Sequence, residues 1–557
     1  MAGGSTIAYN TYDPFRHVAL AVDRISRCII AVAISVVDYK QTFAVHYDTT
    51  DARLEAYSGC HLRSARRLLK ALQANGGIFI KLHISSVHLL PVEWTSTMRP
   101  LQDQCYPTSY EDMDAMFIAD TGESIEEHFL EFDPQPIGVA SLAQVHVGKS
   151  RKTGKKVAVK LQHPYLEEFA NIDIVTAMWC LHWVEVLFPE FEFNWLGEEM
   201  QQNLPLELDF RHEAANAARA RADFAHHRHT SLYIPEVYNA TKRTMVMEFI
   251  EGRRVEDLEY LRQHRIDRNA VSRELSRIFS EMVYINGFFH ADPHPGNLLI
   301  RPAPPGSRSS YNFEIALLDH GLYFDIDDEL RVNYAHLWMS LIAPSSVKTQ
   351  ANRRKYAHLV GNITPEMYPV FEAAITGRAA MKGSDFDTEN TGSSWRRANS
   401  MLEAIPQSEE ELEAIRRAVM EKEGLIPMLF ELMRRMPRRV LMILKLNDLT
   451  RNLDNSLATT HPRSRIFLIV ARYCNLAVWL DDRKRFFTEW RQAGVTWSSL
   501  GQYLSHWWMF HLYSDGLRLV EMGMDMQAWV VTSAMWWRAL FRLGFAGAER
   551  VAAGLEV

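Results

Sequence analysis

Two aspartates and one asparagine occur close together in a segment that cannot form a regular helix. Asp292 and Asn297 belong to the segment His290-Ala-Asp-Pro-His-Pro-Gly-Asn, and Asp319 follows in Leu317-Leu-Asp-His-Gly. Two prolines and a glycine make the first segment a shaped loop. Two carboxylates and an amide are the groups with which phosphoryl-transfer enzymes hold Mg²⁺ and orient a hydroxyl or a water. On this interpretation Asp292 acts on the nucleophile, while Asn297 and Asp319 bind the metal.

The same residues allow a zinc site as an alternative. His290 and His294, together with Asp292 or His320, carry suitable donor atoms. The histidine spacing falls on a proline-rich loop with no cysteine nearby, which favours the magnesium interpretation.

A lysine and a glutamate precede this set in the order that phosphate binding requires. Lys160 ends Val157-Ala-Val-Lys, an alternating strand of the kind that presents one side chain into a cleft. Glu213 lies in a predicted helix and can pair with the strand lysine, so that the lysine points at phosphate oxygens. Alone, the lysine also suits a surface strand and the glutamate a solvated helix, so the order of the elements carries the argument.

The segment from Ile137 to His146 stands where a phosphate-covering loop is expected. Its only glycine is Gly138, where protein kinases have three, so the backbone of Ala140 and Ser141 must approach a phosphate differently. A helical turn starting at Ser141 would offer N–H groups to a phosphate. The alternative is a plain surface turn. Glu248, in a later predicted strand, completes the predicted nucleotide-binding set.

Hydrophobic periodicity predicts the elements that position these residues. Strands are expected around 145–147, 157–159, 234–237, 244–250, 298–300 and 315–318, and helices over 166–188, 206–220 and 255–289, with helices again after Pro406. Loops are expected at 302–311 and 377–400. This order predicts an α+β protein with a two-lobed, protein-kinase-like fold and helical extensions at both ends.

We expect six segments along the chain. They are an N-terminal segment (1–50), a helical extension (51–130), a small nucleotide-binding lobe (131–255), a large lobe with the catalytic and metal loops (256–400), C-terminal helices (401–499) and a Trp/Arg-rich tail (500–557).

The composition describes a globular chain without a general affinity for nucleic acid. Of its 557 residues 47% are hydrophobic and 23% charged, and the formal net charge is -7. A negative balance disfavours a nucleic-acid-binding surface over the whole protein. The five cysteines are scattered, odd in number and without zinc-ligand spacing, which indicates reduced thiols packed in the interior.

Both ends contain apolar segments that raise the question of a membrane. The run Cys28–Val37 is too short to span a bilayer and fits either a buried helix or a membrane-proximal one. Eight of the fourteen tryptophans lie from Trp479 onwards, interleaved with arginines. Clustered Trp and Arg suit a membrane interface, although a helix packed on the large lobe explains them equally well.

Taken together, the motifs resemble the UbiB-type, or aarF-domain, atypical kinases over roughly residues 63–457. The similarity rests on four segments in order: Ala-Ser-Leu-Ala-Gln-Val-His, Val-Ala-Val-Lys-Leu-Gln-His-Pro, Leu-Glu-Leu-Asp-Phe-Arg-His-Glu-Ala and His-Ala-Asp-Pro-His-Pro-Gly-Asn. The Asp-His-Gly form at Asp319 looks like a mitochondrial subgroup of that family.

The resemblance implies a family-specific extension over the nucleotide cleft. In the family a Lys-x-Gly-Gln lysine pairs with the first residue of a Glu-x-Asp motif, here Glu207 and Asp209. Lys81 matches that lysine, but Gly-Gln is absent from Ile80-Lys-Leu-His-Ile84. The resemblance therefore implies a Lys81–Glu207 contact and says nothing of the missing glutamine.

The resemblance also implies ATP and Mg²⁺ as cofactors, a mitochondrial location at the inner membrane, and a role in ubiquinone and lipid homeostasis. We expect an ATPase or a phosphotransferase acting on a small molecule or lipid, with nucleotide and a membrane lipid or quinone as partners. A nucleotide-gated lipid or quinone carrier, or a scaffold, is the alternative. A conventional protein kinase is disfavoured, because no Ala-Pro-Glu or activation loop follows Asp319-His-Gly.

Overall fold

A computed structural model describes residues 13–77, 92–98, 107–164, 166–189, 194–376, 431–460, 464–494 and 496–552. Its helices are α1 Asp13–Ala44, α2 Thr50–Asn75, α3 Val92–Met98, α4 Tyr110–Thr121, α5 Ile125–His128, α6 Leu166–Leu187, α7 Asn194–Glu207, α8 Phe210–Asp223, α9 Leu258–Gln263, α10 Arg268–Glu281, α11 Asp328–Ile342, α12 Val347–Gly361, α13 Tyr368–Thr376, α14 Arg438–Ser456, α15 Ser464–Ala493 and α16 Trp497–Ala552. Its strands are β1 Phe129–Phe132, β2 Gly138–Val139, β3 Ala143–Ser150, β4 Lys156–Gln162, β5 Leu232–Tyr233, β6 Val237–Ala240, β7 Thr244–Glu248, β8 Arg253–Arg254, β9 Phe288–His290, β10 Leu298–Pro302, β11 Phe313–Leu317 and β12 Tyr323–Asp325.

The chain forms two compact units. The first comprises Met1–Arg221, Ile234–Glu251 and Asp319–Leu322. The second comprises Ala222–Tyr233, Gly252–Leu318 and Tyr323–Val557. The α+β class with helical N- and C-terminal regions is as predicted from the sequence, and the six finer segment boundaries stay a prediction.

The first unit is built on an antiparallel sheet with the strand order β1-β3-β4-β7-β6, with β2 pairing to β3. Side chains of β4 are buried on both faces of this sheet. Val157, Val159 and Leu161 are fully buried and pack with α4. Ala158, on the opposite face, packs beside Phe210 of α8. Since side chains alternate along a strand, Lys160 points to the face that α8 covers.

The N-terminal helices of the first unit pack on α6. Cys28, Leu72, Met98 and Cys180, from α1, α2, α3 and α6, share one core cluster. The guanidinium Nε of Arg24 donates to Asp173 Oδ1 of α6 at 3.0 Å. The apolar run predicted at Cys28–Val37 therefore lies in α1 with a buried side.

The opposite side of α1 is exposed. Ile30 is 56% and Val37 54% accessible, so the helix buries one face and leaves an apolar face open.

The second unit is mainly helical. The helices α10, α11, α14 and α15 enclose its core, where Leu275, Leu337, Ile443 and Leu468 are almost completely buried. Its four-stranded sheet has the order β5-β11-β10-β8, and β10 and β11 precede and follow the loop 303–312. A separate two-stranded sheet is formed by β12 and β9, which are antiparallel. The predicted strands around 298–300 and 315–318 are thus observed as the antiparallel pair β10 and β11.

The long helix α16 packs its first half against α15. Trp479 of α15 stacks on Phe510 with ring centroids 5.4 Å apart, and Arg472 binds Glu521 at 2.7 Å. Other aromatic side chains of α16 face solvent, among them Trp508 at 62%, Trp529 at 69% and Phe541 at 83% exposure. The helix therefore combines a packed face with an exposed apolar one. Over the described residues, the helices offer no stretch of the length and apolarity that a bilayer crossing needs.

Three predicted elements differ from the structure. The helix expected over 206–220 is two helices, α7 and α8, because Asp209 caps α8 by accepting the backbone N–H of Arg211 at 3.0 Å. The segment expected to be one helix over 255–289 contains two, α9 and α10, because Asp267 caps α10 by accepting the backbone N–H of Asn269 at 2.9 Å, and α10 ends before 289. A π-turn at Met282–Asn286 leads into Gly287, whose φ of 64° stops the helix before β9.

Of the segment expected to be a strand at 234–237, only Val237 enters β6, because Pro235 has no N–H to give to a ladder. The loop predicted at 377–400 and the start of the helices predicted after Pro406 lie outside the described residues.

Candidate functional site

Lys160 and Glu213 form a close, two-pronged ion pair inside the first unit. The Nζ of Lys160 donates to Glu213 Oε1 at 2.7 Å and to Oε2 at 2.8 Å. Both side chains are withdrawn from solvent, with exposures of 15% for the lysine and 5% for the glutamate. The ring of Phe210 lies 5.2 Å from the lysine ammonium. The pairing predicted from the sequence is therefore present, with the lysine held at both glutamate oxygens.

The position of Glu213 follows from the start of α8. Asp209 caps the helix, and the backbone N–H of Phe210 donates to the carbonyl of Lys242 at 3.0 Å. Glu213 then falls in the first turn of α8, on the same side as the buried Phe210. The helix start thus sets which side chain meets Lys160.

Burial dominates the electrostatics of Glu213. The pKa of this carboxyl is raised to about 7, because burial and the negative charge of Asp319 outweigh the opposing attraction of Lys160. Near neutral pH the glutamate therefore stands close to its titration point, and the Lys160 ammonium is the group that favours its ionised form.

Asp319 comes to the same place within the first unit. Its Oδ1 lies 3.5 Å from Lys160 Nζ and accepts the backbone N–H of Gly321 at 3.0 Å. A Cβ on residue 321 would stand 3.3 Å from this oxygen, so glycine keeps the turn close to the carboxylate. On α8, the amide of Asn216 donates to the carbonyl of His320 at 2.9 Å. The Asp-His-Gly turn is therefore fastened to the helix that carries Glu213.

The loop expected to cover phosphates is a β-hairpin end. β2 and β3 pair directly, and the N–H of Ala140 donates to the carbonyl of Ala143 at 2.8 Å. The helical turn that the sequence allowed at Ser141 does not form, because the backbone bends straight into β3. Ser141 is buried, and a Cβ added at Gly138 would meet open space. Of these two positions, Gly138 is therefore the one with free space around it.

A side chain missed by the sequence reasoning fixes this loop. The Nε2–H of His163 donates to the carbonyl of Ala140 at 3.0 Å, while Nδ1 lies 2.8 Å from the hydroxyl of Thr108. Burial lowers the pKa of His163, which keeps the ring neutral and suits one donating and one accepting nitrogen. Gln144 ties down the same segment by accepting the Thr108 N–H at 2.9 Å. His163 and Gln144 both lie in motif segments given under the sequence analysis, and this membership could have identified them as functional candidates.

Three further predicted residues lie in the first unit, at or beside the ends of its elements. Glu248 ends β7, where its N–H donates to the carbonyl of Glu236 at 2.8 Å. Glu207 ends α7. Asp209 binds Arg211 at 2.7 Å in addition to capping α8. Lys81 lies outside the described residues, so the Lys81–Glu207 contact stays a prediction.

The second unit carries the loop with Asp292 and Asn297. The N–H of His294 donates to the carbonyl of Asp292 at 2.9 Å, and the N–H of Asn297 donates to the carbonyl of His294 at 2.9 Å. A short 3₁₀ turn over Pro295–Asn297 then leads into β10. The N–H of Leu318 donates to the carbonyl of Asn297 at 2.9 Å. The loop is thus a tight, internally bonded structure, as its prolines and glycine predict.

The two histidines of this loop are structural acceptors. His290 Nδ1 accepts the N–H of Asp292 at 3.2 Å, and its buried ring stacks on Tyr323 at 5.0 Å. His294 Nδ1 accepts the N–H of Gly296 at 3.0 Å. The Nδ1 lone pair of each ring is therefore used within the loop, and at these atoms the geometry gives the zinc alternative no support.

Among the described residues, metal-type donors within 4.8 Å of one another occur at His226, His227 and Glu281, none of them in the predicted set. His227 and Glu281 bond to each other, and the hydroxyl of Tyr473 donates to Glu281 at 3.3 Å. This group is therefore already engaged in its own hydrogen bonds.

Asp292 also meets a side chain that the sequence analysis did not single out. The Nζ of Lys445, on α14, lies 3.2 Å from Asp292 Oδ1. The two positions are 153 residues apart, so no local pattern could have joined them.

The comparisons with known proteins agree with these motifs. Residues 100–351 match the model of the ABC1 atypical kinase-like domain. The ABC1 family protein MCP2 homolog of Schizosaccharomyces pombe is 39% identical over 483 residues, covering 86% of this chain and 83% of that protein. ABC1 family protein MCP2 of Saccharomyces cerevisiae is 39% identical over 522 residues, covering 90% and 88%. AarF domain-containing protein kinase 1 of Xenopus laevis is 36% identical over 506 residues, covering 89% and 90%.

Proposed function

Because the chain belongs to the ABC1 family of atypical kinase-like proteins, we propose that it binds ATP with Mg²⁺ and acts as an ATPase or as a phosphotransferase toward a small molecule or lipid. The observation that carries the proposal is the triad of Lys160, Glu213 and Asp319, in which the glutamate is buried. Within the first unit, the lysine contacts both glutamate oxygens and lies 3.5 Å from Asp319.

The donor set suits magnesium. Mg²⁺ prefers oxygen ligands such as carboxylates and amide carbonyls, and Asp319 and Asn297 supply these. Gly321 holds the Asp319 carboxylate by one oxygen at 3.0 Å, which fixes its direction. When bound, Mg²⁺ would neutralise charge on the β- and γ-phosphates.

Each residue of the chain then has a defined task. Lys160 binds phosphate oxygens, and Glu213 holds the ammonium in place from the sheet-facing side of α8. The hairpin with Gly138, Ala140 and Ser141 covers the phosphates. Asp292 orients the nucleophile, which is a water or the hydroxyl of a small molecule or lipid head group.

The acceptor is proposed to be small or lipidic for a local reason. Only the short strand β12 separates Gly321 from α11 in the chain, so little sequence is available for a peptide-docking activation segment. The family resemblance supports a role in ubiquinone and lipid homeostasis at the mitochondrial inner membrane. The exposed Trp508, Trp529 and Phe541 of α16 suit contact with a lipid interface.

The decisive experiment is an ATP hydrolysis series on the purified protein. Mg²⁺-dependent turnover is expected, with stimulation by liposomes or by ubiquinone analogues. Asp319→Asn and Lys160→Ala should each lower the rate at least 100-fold, because each removes a charge that acts on the phosphates. Turnover that persists in both variants would reject the assignment.

A nucleotide-gated lipid or quinone carrier, or a scaffold, is the second candidate, and the exposed apolar face of α16 is the observation that favours it. It predicts a thermal shift with ADP or ATP, no turnover and no phosphorylated product. Removing residues 500–557 should weaken sedimentation with liposomes and leave nucleotide binding intact. Unchanged sedimentation would remove the lipid role of this helix from both candidates.

A further inference from the structure

Asp292 is paired with a cation that comes from outside its loop. The segment His290–Asn297 contains no lysine or arginine. Its carboxylate is met by Lys445 of α14, with Nζ 3.2 Å from Oδ1. The side chains are 9% exposed for the lysine and 14% for the aspartate, so water screens the pair only weakly.

The helix α14 is held firmly where it presents this lysine. On either side of Lys445 along the helix, Ile443 is fully buried and Leu446 is 1% exposed. The amide of Asn447 donates to the hydroxyl of Tyr334 on α11 at 3.2 Å. These contacts place the lysine stem independently of Asp292.

The same helix is bonded to α10 further along. The hydroxyl of Ser272 donates to Asp454 Oδ1 at 2.7 Å, and both residues are buried. Contacts to α10 and α11 therefore fix α14 at two separate points, and Lys445 stands at a preorganised position.

Stability alone does not explain such a pair. Removing two charges from water costs about as much as their attraction returns, so a buried lysine–aspartate pair contributes little net folding free energy. Its definite effect is geometric, because the backbone of Asp292 is already fixed by the bonds to His290 and His294. The Lys445 ammonium, 3.2 Å from Oδ1, acts on the direction of the carboxylate, which these backbone bonds do not set.

We propose that Lys445 is a positioning residue of the phosphoryl-transfer site, which holds the Asp292 carboxylate aimed at the nucleophile. The inference rests on the proposed function, since it gives Asp292 its task. It assigns a role to a residue beyond the matched domain at 100–351. In this protein the loop supplies Asp292, and α14 supplies the residue that positions its carboxylate.

The test compares three lysine variants in steady-state ATP hydrolysis by the full-length protein. Lys445→Met keeps the apolar stem and removes the charge, and kcat should fall at least 10-fold while KM for ATP changes less than 3-fold. Lys445→Arg keeps the charge and should restore most of the rate. The matched control is Lys484→Met, which breaks an exposed pair with Asp328 in the same unit and should leave kcat unchanged.

A double variant separates positioning from a merely structural role. In an Asp292→Asn background, Lys445→Met should lower the residual kcat no further, because the lysine acts through that carboxylate. An additive loss would overturn the inference. So would a wild-type kcat in Lys445→Met, or a rise in KM alone.

If Lys445→Met lowers the thermal midpoint by more than a few degrees, Lys445→Arg decides the matter. A well-folded arginine variant with kcat as low as that of Asp292→Asn would contradict a positioning role of the charge. A wild-type protein that binds nucleotide without turnover refutes the phosphotransfer proposal and this inference together. Turnover that is insensitive to residue 445 refutes the inference alone.

Discussion

Replacing Lys160 by methionine should weaken nucleotide binding strongly while leaving the protein folded. The ammonium makes charge-assisted contacts to both oxygens of Glu213, at 2.7 and 2.8 Å, in a largely buried place. A bound phosphate would gain a charged hydrogen bond of the same type, worth about 1.5–3 kcal/mol. Its loss corresponds to an affinity for Mg-ATP about 10-fold to 100-fold lower.

Two effects compete for the stability of this variant. If Glu213 stayed charged after losing its partner, the cost would be about 3–5 kcal/mol. However, burial has already raised the pKa of Glu213 to about 7. At pH 7, protonation of Glu213 in the variant therefore lowers the free energy of unfolding by less than about 1 kcal/mol relative to the wild type, in which burial of this carboxyl is already unfavourable. We therefore expect Glu213 to take up a proton in the Lys160→Met variant. The thermal unfolding midpoint of this variant should lie within a few degrees of that of the wild type.

The assay is isothermal titration with ATP and Mg²⁺, with thermal unfolding measured on the same samples. Lys156→Met is the matched control, because Lys156 lies on the same strand, is 53% exposed and contacts Glu251 at 3.8 Å and the Phe249 ring at 4.0 Å, not Glu213. The control should bind nucleotide as the wild type does. Binding by Lys160→Met within a factor of two of the wild type would falsify the assignment of this lysine to phosphate.

Two further predictions concern histidines. His163→Ala removes the bond to the Ala140 carbonyl at 3.0 Å, and it should speed amide hydrogen exchange over residues 138–142 and weaken nucleotide binding several-fold. Exchange unchanged in that segment would contradict the anchoring role. Burial of His336 lowers its pKa to about 4, against 6.5 when unfolded, so stability is full above pH 6.5 and is lost as pH falls toward 4. Between pH 7.5 and 5.5 the wild type should lose about 1 kcal/mol more unfolding free energy than His336→Gln in urea titrations, and equal losses would refute the assignment.

Local patterns predicted the parts of the site that depend on neighbours in sequence. The alternation in Val157-Ala-Val-Lys indicated a strand, and a partner strand was expected around 145–147; the structure contains them as the paired strands β4 and β3. The prolines and glycine of the segment from His290 to Asn297 correctly indicated a loop ahead of a buried strand. In each case the deciding interaction spans only a few residues, so the sequence carries it directly.

Predictions based on a single continuous helix were wrong where a polar side chain interrupts the pattern. The apolar spacing over 206–220 fits one helix, and nothing in that spacing marks Asp209 as a cap. The chain breaks there because the Asp209 carboxylate accepts a backbone N–H that the helix would otherwise use, and because the N–H of Phe210 is taken by a strand-side carbonyl. The second of these bonds is a tertiary contact, which periodicity cannot reveal.

The same reasoning explains why the site was incomplete when read from motifs. His163 reaches Thr108 across 55 positions, and Lys445 reaches Asp292 across 153. A motif records which residues occur together along the chain, while these contacts depend on how α14 and the β2–β3 hairpin are packed. Lys160 and Glu213, separated by 53 positions, were found only because a known order of elements supplied the tertiary relation in advance. Lys445 lies on a helix outside that order, so only the fold reveals its contact with Asp292. This contact gives the Asp292 assignment its most specific test.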